Sequence, residues 1–200
     1  MTIRKGQDWG KPFVMPSDCM VVASDAEAAR SEPQAPFYVS SGDLHEALGK
    51  PRQPKEGEEC QLLPIDAMQY VIQISEGKEL SAFAISSITI GRWYRGAFFV
   101  LSNSGFHQSR HLLPRAHPND GFLDLLSLRS SMPMRQRLLF KRKSRISAHL
   151  PHPDIRVERL DSFSFTRTKA HESLIIDGIE IGSWSSVSVT VRPDYWHTVV

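Results

Sequence analysis

The stretch RAHPNDGFLDLL, residues 115 to 126, sets an Asp-Gly pair directly against a run of strand-forming apolar residues. Two chemistries are open to Asp120. Its carboxylate, with backbone carbonyls of a tight turn, can ligate a hard cation such as Mg2+ or Ca2+, which prefers oxygen. The same carboxylate can instead accept a hydrogen bond from backbone two residues on, as an Asx turn; spacing alone favours the turn. Histidines cluster just upstream. His107 and His111 are four apart and His117 follows, but Pro114 interrupts the segment and no HExxH pattern is present. Histidine ligands on one helix face need that continuity, so these read as surface or structural residues.

Other catalytic signatures are absent. No GxSxG places a serine nucleophile, and no GxGxxG or GxxxxGK[ST] supplies a phosphate-binding loop. Cys19 and Cys60 form no CxxC pair and read as free thiols. One basic tract stands out: RSSMPMRQRLLFKRKSR, residues 129 to 145, has no acidic residue. Arg135, Arg137, Lys141, Arg142, Lys143 and Arg145 within it are candidates for holding an anion, either anionic lipid head groups or a phosphate. A solvated helix face fits the same pattern. Phe140 is its only aromatic residue, which argues against a nucleic-acid surface built on stacking.

These residues need a frame. The chain has 200 residues, 40% of them hydrophobic and 23% charged, which predicts one globular domain with a true core. The formal net charge is only +2, so any anion site must be local. The N-terminal residues MTIRKGQDWGKPF lack the apolar core of a signal peptide, and no apolar run reaches the roughly 20 residues of a membrane span. A cytoplasmic protein with no transmembrane segment is the expectation. Residues 1–60 read as an irregular extension with short helices at SDAEAAR (24–30), capped by Ser24, and GDLHEALG (42–49). Residues 61–200 read as the main domain. MQYVIQIS and LSAFAISSITI predict a β-hairpin about the turn SEGKE. GAFFVLSNS predicts a strand, FLDLLSL a buried one, and SVSVTVRP one with Val187, Val189 and Val191 facing inward. MRQRLLFKRK (134–143) is the one helix pattern of this half. Many short strands joined by turns predict a mainly β fold, a sandwich or barrel, with one or two helices.

As a set, LLPRAHPNDGFLDLLSL, the basic helix, SAHLPHPDIRVERLDSFSF and LIIDGIEIGSWSSVSVTVRPDYWHTVV resemble the C-terminal domain of the diacylglycerol-kinase-type lipid kinases. That family includes sphingosine kinases and has NAD kinases as distant relatives. The likeness covers about residues 92 to 200, with Pro114, Ala116, Pro118, Asp120, Gly121, Leu123 and Asp124 in order. It implies an antiparallel β-sandwich with a crossing helix. It also implies a structural Mg2+ held by the Asp120 carboxylate and the carbonyls near His117 and Phe122.

The departures carry equal weight. The family's G-G-D-G-T nucleotide loop is missing; SSGDLHEALG echoes it only through Gly42, Asp43 and Glu46. Phosphate loops need the backbone freedom of those glycines. Where the family has D-G-E, this chain has Asp177, Gly178 and Ile179, with the acid displaced to Glu180. Adjacent strand residues face opposite ways, so Glu180 is no simple replacement. The leading expectation is a non-catalytic relative that binds an anionic lipid or a regulatory protein, without ATP. The alternative is an ATP-dependent lipid kinase completed by another chain or a homodimer, with Asp177 and Glu180 as its catalytic acids. A nucleic-acid-binding module is a third and weaker reading.

Overall fold

A computed structural model describes residues 9–33, 35–74 and 77–200. In chain order, β1 (Lys11–Val14) and β2 (Met20–Val22) lead through a short helix α1 (Asp25–Ala28) to β3 (Pro36–Val39). A second short helix, α2 (Asp43–Ala47), precedes β4 (Glu59–Gln73), β5 (Glu79–Ala84), β6 (Ser87–Arg92) and β7 (Arg95–Ser102). A small hairpin, β8 (Phe106–His107) and β9 (Arg110–His111), is followed by β10 (Leu123–Leu128). The longest helix, α3 (Met134–Lys143), runs into a 3-10 turn, Ser144–Ile146. The chain ends in β11 (Ile155–Leu160), β12 (Ser162–Thr166), β13 (Leu174–Ile176), β14 (Ile179–Ile181) and the long β15 (Ser186–Val199).

The strands form two main sheets. The larger runs β1-β4-β15-β3-β2, with β5 also on β4 and β12 also on β15. The smaller runs β11-β10-β7-β6-β13-β14. Met68, Tyr70 and Ile72 of β4, with Val187 and Val189 of β15, meet Ile88, Ile90, Leu101, Leu123, Leu125, Leu174 and Ile176 of the smaller sheet in one core. The mainly β, sandwich-like class expected from the alternation is therefore the observed one. The smaller sheet is covered on its other face too. Leu126 and Leu128 of β10 pack with Phe98, Val100, Met132 and Phe140 beneath α3, which is why FLDLLSL reads as apolar on both sides.

Two features depart from the expected pattern. First, LSAFAISSITI is not one strand: β5 pairs with β4 in the larger sheet, and β6 pairs with β7 and β13 in the smaller. The chain crosses from sheet to sheet at Ile85–Ser86. The hairpin of β4 and β5 exists, while Ser75 and Glu76 of its turn lie outside the described residues. Second, β3 pairs parallel to both β15 and β2, so the larger sheet is mixed. Residues 20–39 form a strand–helix–strand crossover, and such a connection returns a strand in parallel. The short helices of residues 1–60 bring the count among the described residues to three, α1 and α2 lying where SDAEAAR and GDLHEALG place them. α1 is capped locally, the Ser24 hydroxyl accepting the Glu27 N–H at 3.2 Å, whereas α2 has no local side-chain cap. Their buried Ala28 and Leu44 pack with Phe37, Ile65, Ile85 and Trp196 in a second core. Cys19 and Cys60 are free thiols beside a third small cluster of Met15, Leu62 and Val199.

The main core predicts its own sensitivity. Ile72 is fully buried, whereas Val21 on the edge strand β2 is 45% exposed. Ile72→Ala should lower the unfolding free energy by about 2–5 kcal/mol in urea titrations, and Val21→Ala by less than about 0.5 kcal/mol.

Candidate functional site

Asp177 sits at the turn between β13 and β14. Asp177 and Gly178 both have positive φ, 46° and 83°, as the two-residue turn of this hairpin demands. The turn aims the Asp177 carboxylate at the sheet crossing. Its two oxygens accept the backbone N–H groups of Ile85, Ser86 and Ser87 at 2.9, 3.0 and 2.9 Å. A cavity of about 300 Å3 borders Asp177, Ile179, Arg30 and Tyr70. Glu180 does not line it; it reaches Arg92 at 3.5 Å, with both side chains largely in solvent. Asp177 and Glu180 are thus not brought together, and the Asp177 carboxylate is committed to holding backbone.

The segment that echoes the nucleotide loop is committed in the same way. Asp25, buried, accepts the N–H groups of Asp43 and Leu44 at 2.7 and 3.2 Å, capping the start of α2. Gly42 is required there: its φ is +112°, and an added Cβ would lie 2.4 Å from an Asp25 carboxylate oxygen. Asp43 in turn accepts the N–H groups of Gln108 and Ser109 at the β8–β9 turn, at 2.9 and 2.7 Å. Gly42 and Asp43 therefore clip one loop to another.

The Asp120 turn is held by a residue the sequence did not single out. Asp66, 1% exposed in the middle of β4, accepts the Gly121 N–H at 2.7 Å, the Asn119 amide at 3.1 Å and the Asp194 N–H at 2.9 Å. Its own N–H donates to the Pro118 carbonyl at 2.8 Å. Asp120 makes the Asx turn, accepting the Phe122 N–H at 3.2 Å. Its second oxygen pairs with Arg159 at 2.9 Å. Arg159 stands opposite Asp124 in the β10–β11 register, 3.6 Å from its carboxylate, and donates to the Arg115 carbonyl at 2.8 Å. At 3.6 Å the Asp124 contact is an ion pair without a hydrogen bond. The guanidinium also lies over the Phe122 ring, 5.1 Å from its centre. His117 accepts the Asn119 N–H through Nδ1 and meets Trp9 edge-on.

These residues do not fit a divalent cation. Both Asp120 oxygens are engaged, one by the Phe122 N–H and the other by the Arg159 guanidinium, which also takes the Arg115 carbonyl, so a cation here would have to displace Arg159. Among the described residues, no group of three or more His, Cys, Asp or Glu side chains is arranged to hold a metal.

The basic candidates divide. Arg137 is 2% exposed and donates to the carbonyls of Met132, Trp93, Gly96 and Arg129. It fastens α3 to the sheet and is not available to an anion. Lys141 lies 4.3 Å above the Trp93 ring. Arg135, Arg142, Lys143 and Arg145 are exposed.

No protein-family model and no curated protein matches the chain. Solved structures do resemble its fold. A diacylglycerol kinase-like chain from Bacillus anthracis str. Sterne aligns with a TM-score of 0.53 at 11% identity, over 90% of this chain and 77% of that one. Yeast NADH kinase complexed with NADH aligns with a TM-score of 0.58 at 9% identity, over 92% of this chain and 62% of the kinase. At such identities the likeness is one of fold.

Two outcomes follow. Arg159→Ala leaves the buried Asp124 and the turn-bound Asp120 without their cation and should cost about 1–3 kcal/mol in chemical denaturation. Burial pushes Asp25 and Asp66 up to about 6 and Asp177 up to about 7, against the backbone donors that pull them down. A carboxyl raised in the folded state binds protons there more tightly than in the unfolded chain. Its contribution is therefore complete below pH 3.8 and fades as pH rises toward 7. Burial of His107, His111, His117, His149 and His197 lowers their folded-state pKa and acts in the opposite sense on acidification, so the carboxyl share is read by difference. The change in urea midpoint from pH 7.5 to pH 5 should be less favourable in Asp66→Asn than in the parent chain, and an unchanged difference would show that Asp66 is not raised.

Proposed function

We propose that the protein is a non-catalytic relative of the lipid-kinase fold that docks on an anionic lipid surface through α3 and the turn after it. The observation that carries this reading is the make-up of the helix face turned to solvent. Met134, Leu138, Leu139 and Ile146 are 49%, 54%, 38% and 77% exposed. Arg135, Arg142, Lys143 and Arg145 are exposed beside them, and no acidic residue occurs between 129 and 153. Apolar side chains that enter the acyl boundary, flanked by cations that meet head groups, are the makings of an interfacial helix. Arg137 holds this helix rigidly to the sheet, so little ordering is required on docking.

The absence of catalysis in this reading rests on commitment of the acids. Phosphoryl transfer needs groups free to position nucleotide and metal. Asp177, Asp43 and Asp25 instead spend their carboxylates on backbone N–H groups, and Glu180 faces away from the Asp177 cavity.

Vesicle co-sedimentation tests the proposal. Binding is expected to phosphatidylcholine vesicles containing phosphatidylserine or phosphatidic acid, and not to phosphatidylcholine alone. Each basic residue near the surface contributes about 1 kcal/mol, so Arg142→Ala with Lys143→Ala should weaken partitioning about thirtyfold. Leu138→Asp should weaken it further without changing the fold. Equal binding to neutral vesicles, or none to either, would leave a protein partner as the occupant of this face. Stabilisation by ATP with Mg2+ would instead favour an enzyme.

A further inference from the structure

A cavity of about 220 Å3 opens on the outer side of the smaller sheet, between β6, β7, the β8–β9 hairpin and the inward face of α3. Its walls combine two chemistries. Trp93, Phe98 and Phe140 supply aromatic surface, and Arg92, Arg110 and Lys141 supply positive charge. Among the described residues, no Asp or Glu lines it. Lys141 rests over the Trp93 ring, while the two arginines are poorly satisfied by the protein. The Nε of Arg110 is buried with no hydrogen-bond partner, and no carboxylate pairs with Arg110 or Lys141 among the described residues. Arg92 has only a 3.5 Å contact with the exposed Glu180.

A buried guanidinium donor without an acceptor costs free energy, and three cations facing one cavity repel each other. Both costs are relieved by one anionic group. The aromatic walls define the rest of the occupant. A cavity of about 150 Å3 accepts benzene, so this one has room for a single ring with a small charged substituent. We infer that this cavity binds a small aromatic anion, an aryl carboxylate or aryl phosphate, with its ring between Trp93, Phe98 and Phe140 and its charge on Arg110. The site is independent of the membrane-docking reading. Phe140 and Lys141 turn inward from α3, while Arg135, Leu138, Arg142 and Lys143 turn outward.

Phenyl phosphate and benzoate, titrated by isothermal calorimetry and followed by tryptophan fluorescence, test the inference. Inorganic phosphate and benzyl alcohol are the controls for charge alone and ring alone. At least one aromatic anion should bind tenfold or more tightly than either control and perturb the emission of the chain's tryptophans, which Trp93→Phe should largely remove. Arg110→Gln should weaken binding tenfold or more. Ile175→Trp, on the cavity wall, should abolish it by filling the space while keeping all three cations. Far-ultraviolet circular dichroism and melting of each variant separate lost binding from lost fold. Arg142→Ala with Lys143→Ala should leave aryl-anion affinity unchanged, so this site and the membrane face fail or hold separately. Inorganic phosphate binding as tightly as phenyl phosphate would mean an adventitious ion on surface charge and would overturn the inference. So would the absence of binding by both aromatic anions, or binding that survives Arg110→Gln and Ile175→Trp.

Discussion

Backbone N–H groups that leave a sheet inside a protein must find acceptors, because no water is there to take them. The chain faces that constraint where β5 of one sheet becomes β6 of the other, and it meets it with a single carboxylate. Asp177 gathers three consecutive amides from a hairpin some ninety residues away in sequence. The crossing at Ile85–Ser86, and with it the placing of the two sheets face to face, depends on that cap. Asp66 applies the same device to the loop before β10 and to the bulge of β15 between Arg192 and Trp196. Asp25 and Asp43 apply it to α2 and to the β8–β9 turn.

This economy of charge shapes what the molecule can do. Carboxylates aimed at amides are held in place by two or three donors, and their geometry is that of the backbone they cap. They are poor candidates for gathering a nucleotide's metal. Arg159 takes the position of a cation beside Asp120 and Asp124, and Arg137 closes four carbonyls under α3. Apart from these two internally engaged arginines, α3 and its surroundings hold a local group of cations in a stretch without acids. Some face outward among exposed apolar side chains, and others face inward toward an aromatic cavity. The sheet architecture is shared with lipid and NADH kinases at very low identity, and the chemistry of the sites must be argued from this chain's own residues.

The resemblance to lipid kinases was carried by short motifs spread over a hundred residues, and fold comparison supports it at the level of architecture. The motif positions were informative for turns. Asp120 is a turn residue, as its Asp-Gly pair indicates, and Arg159 is what its second oxygen holds. Nothing in the spacing of RVERL marks Arg159, because its partners lie across a strand pair and in a loop forty residues earlier.

What the sequence determined by itself is local. The period-two alternation of SVSVTVRP, the doubly apolar FLDLLSL, the extent of α3 and the capping of α1 by Ser24 are all readable, because each depends on neighbours in the chain. The tertiary structure alone decided the rest. It split LSAFAISSITI between two sheets, recruited β1 to β3 into the larger sheet, turned Arg137 inward, and gave Asp66 its partners. Those outcomes depend on which distant amides need an acceptor and which face of a strand is covered. Such facts arise only once the elements are packed together.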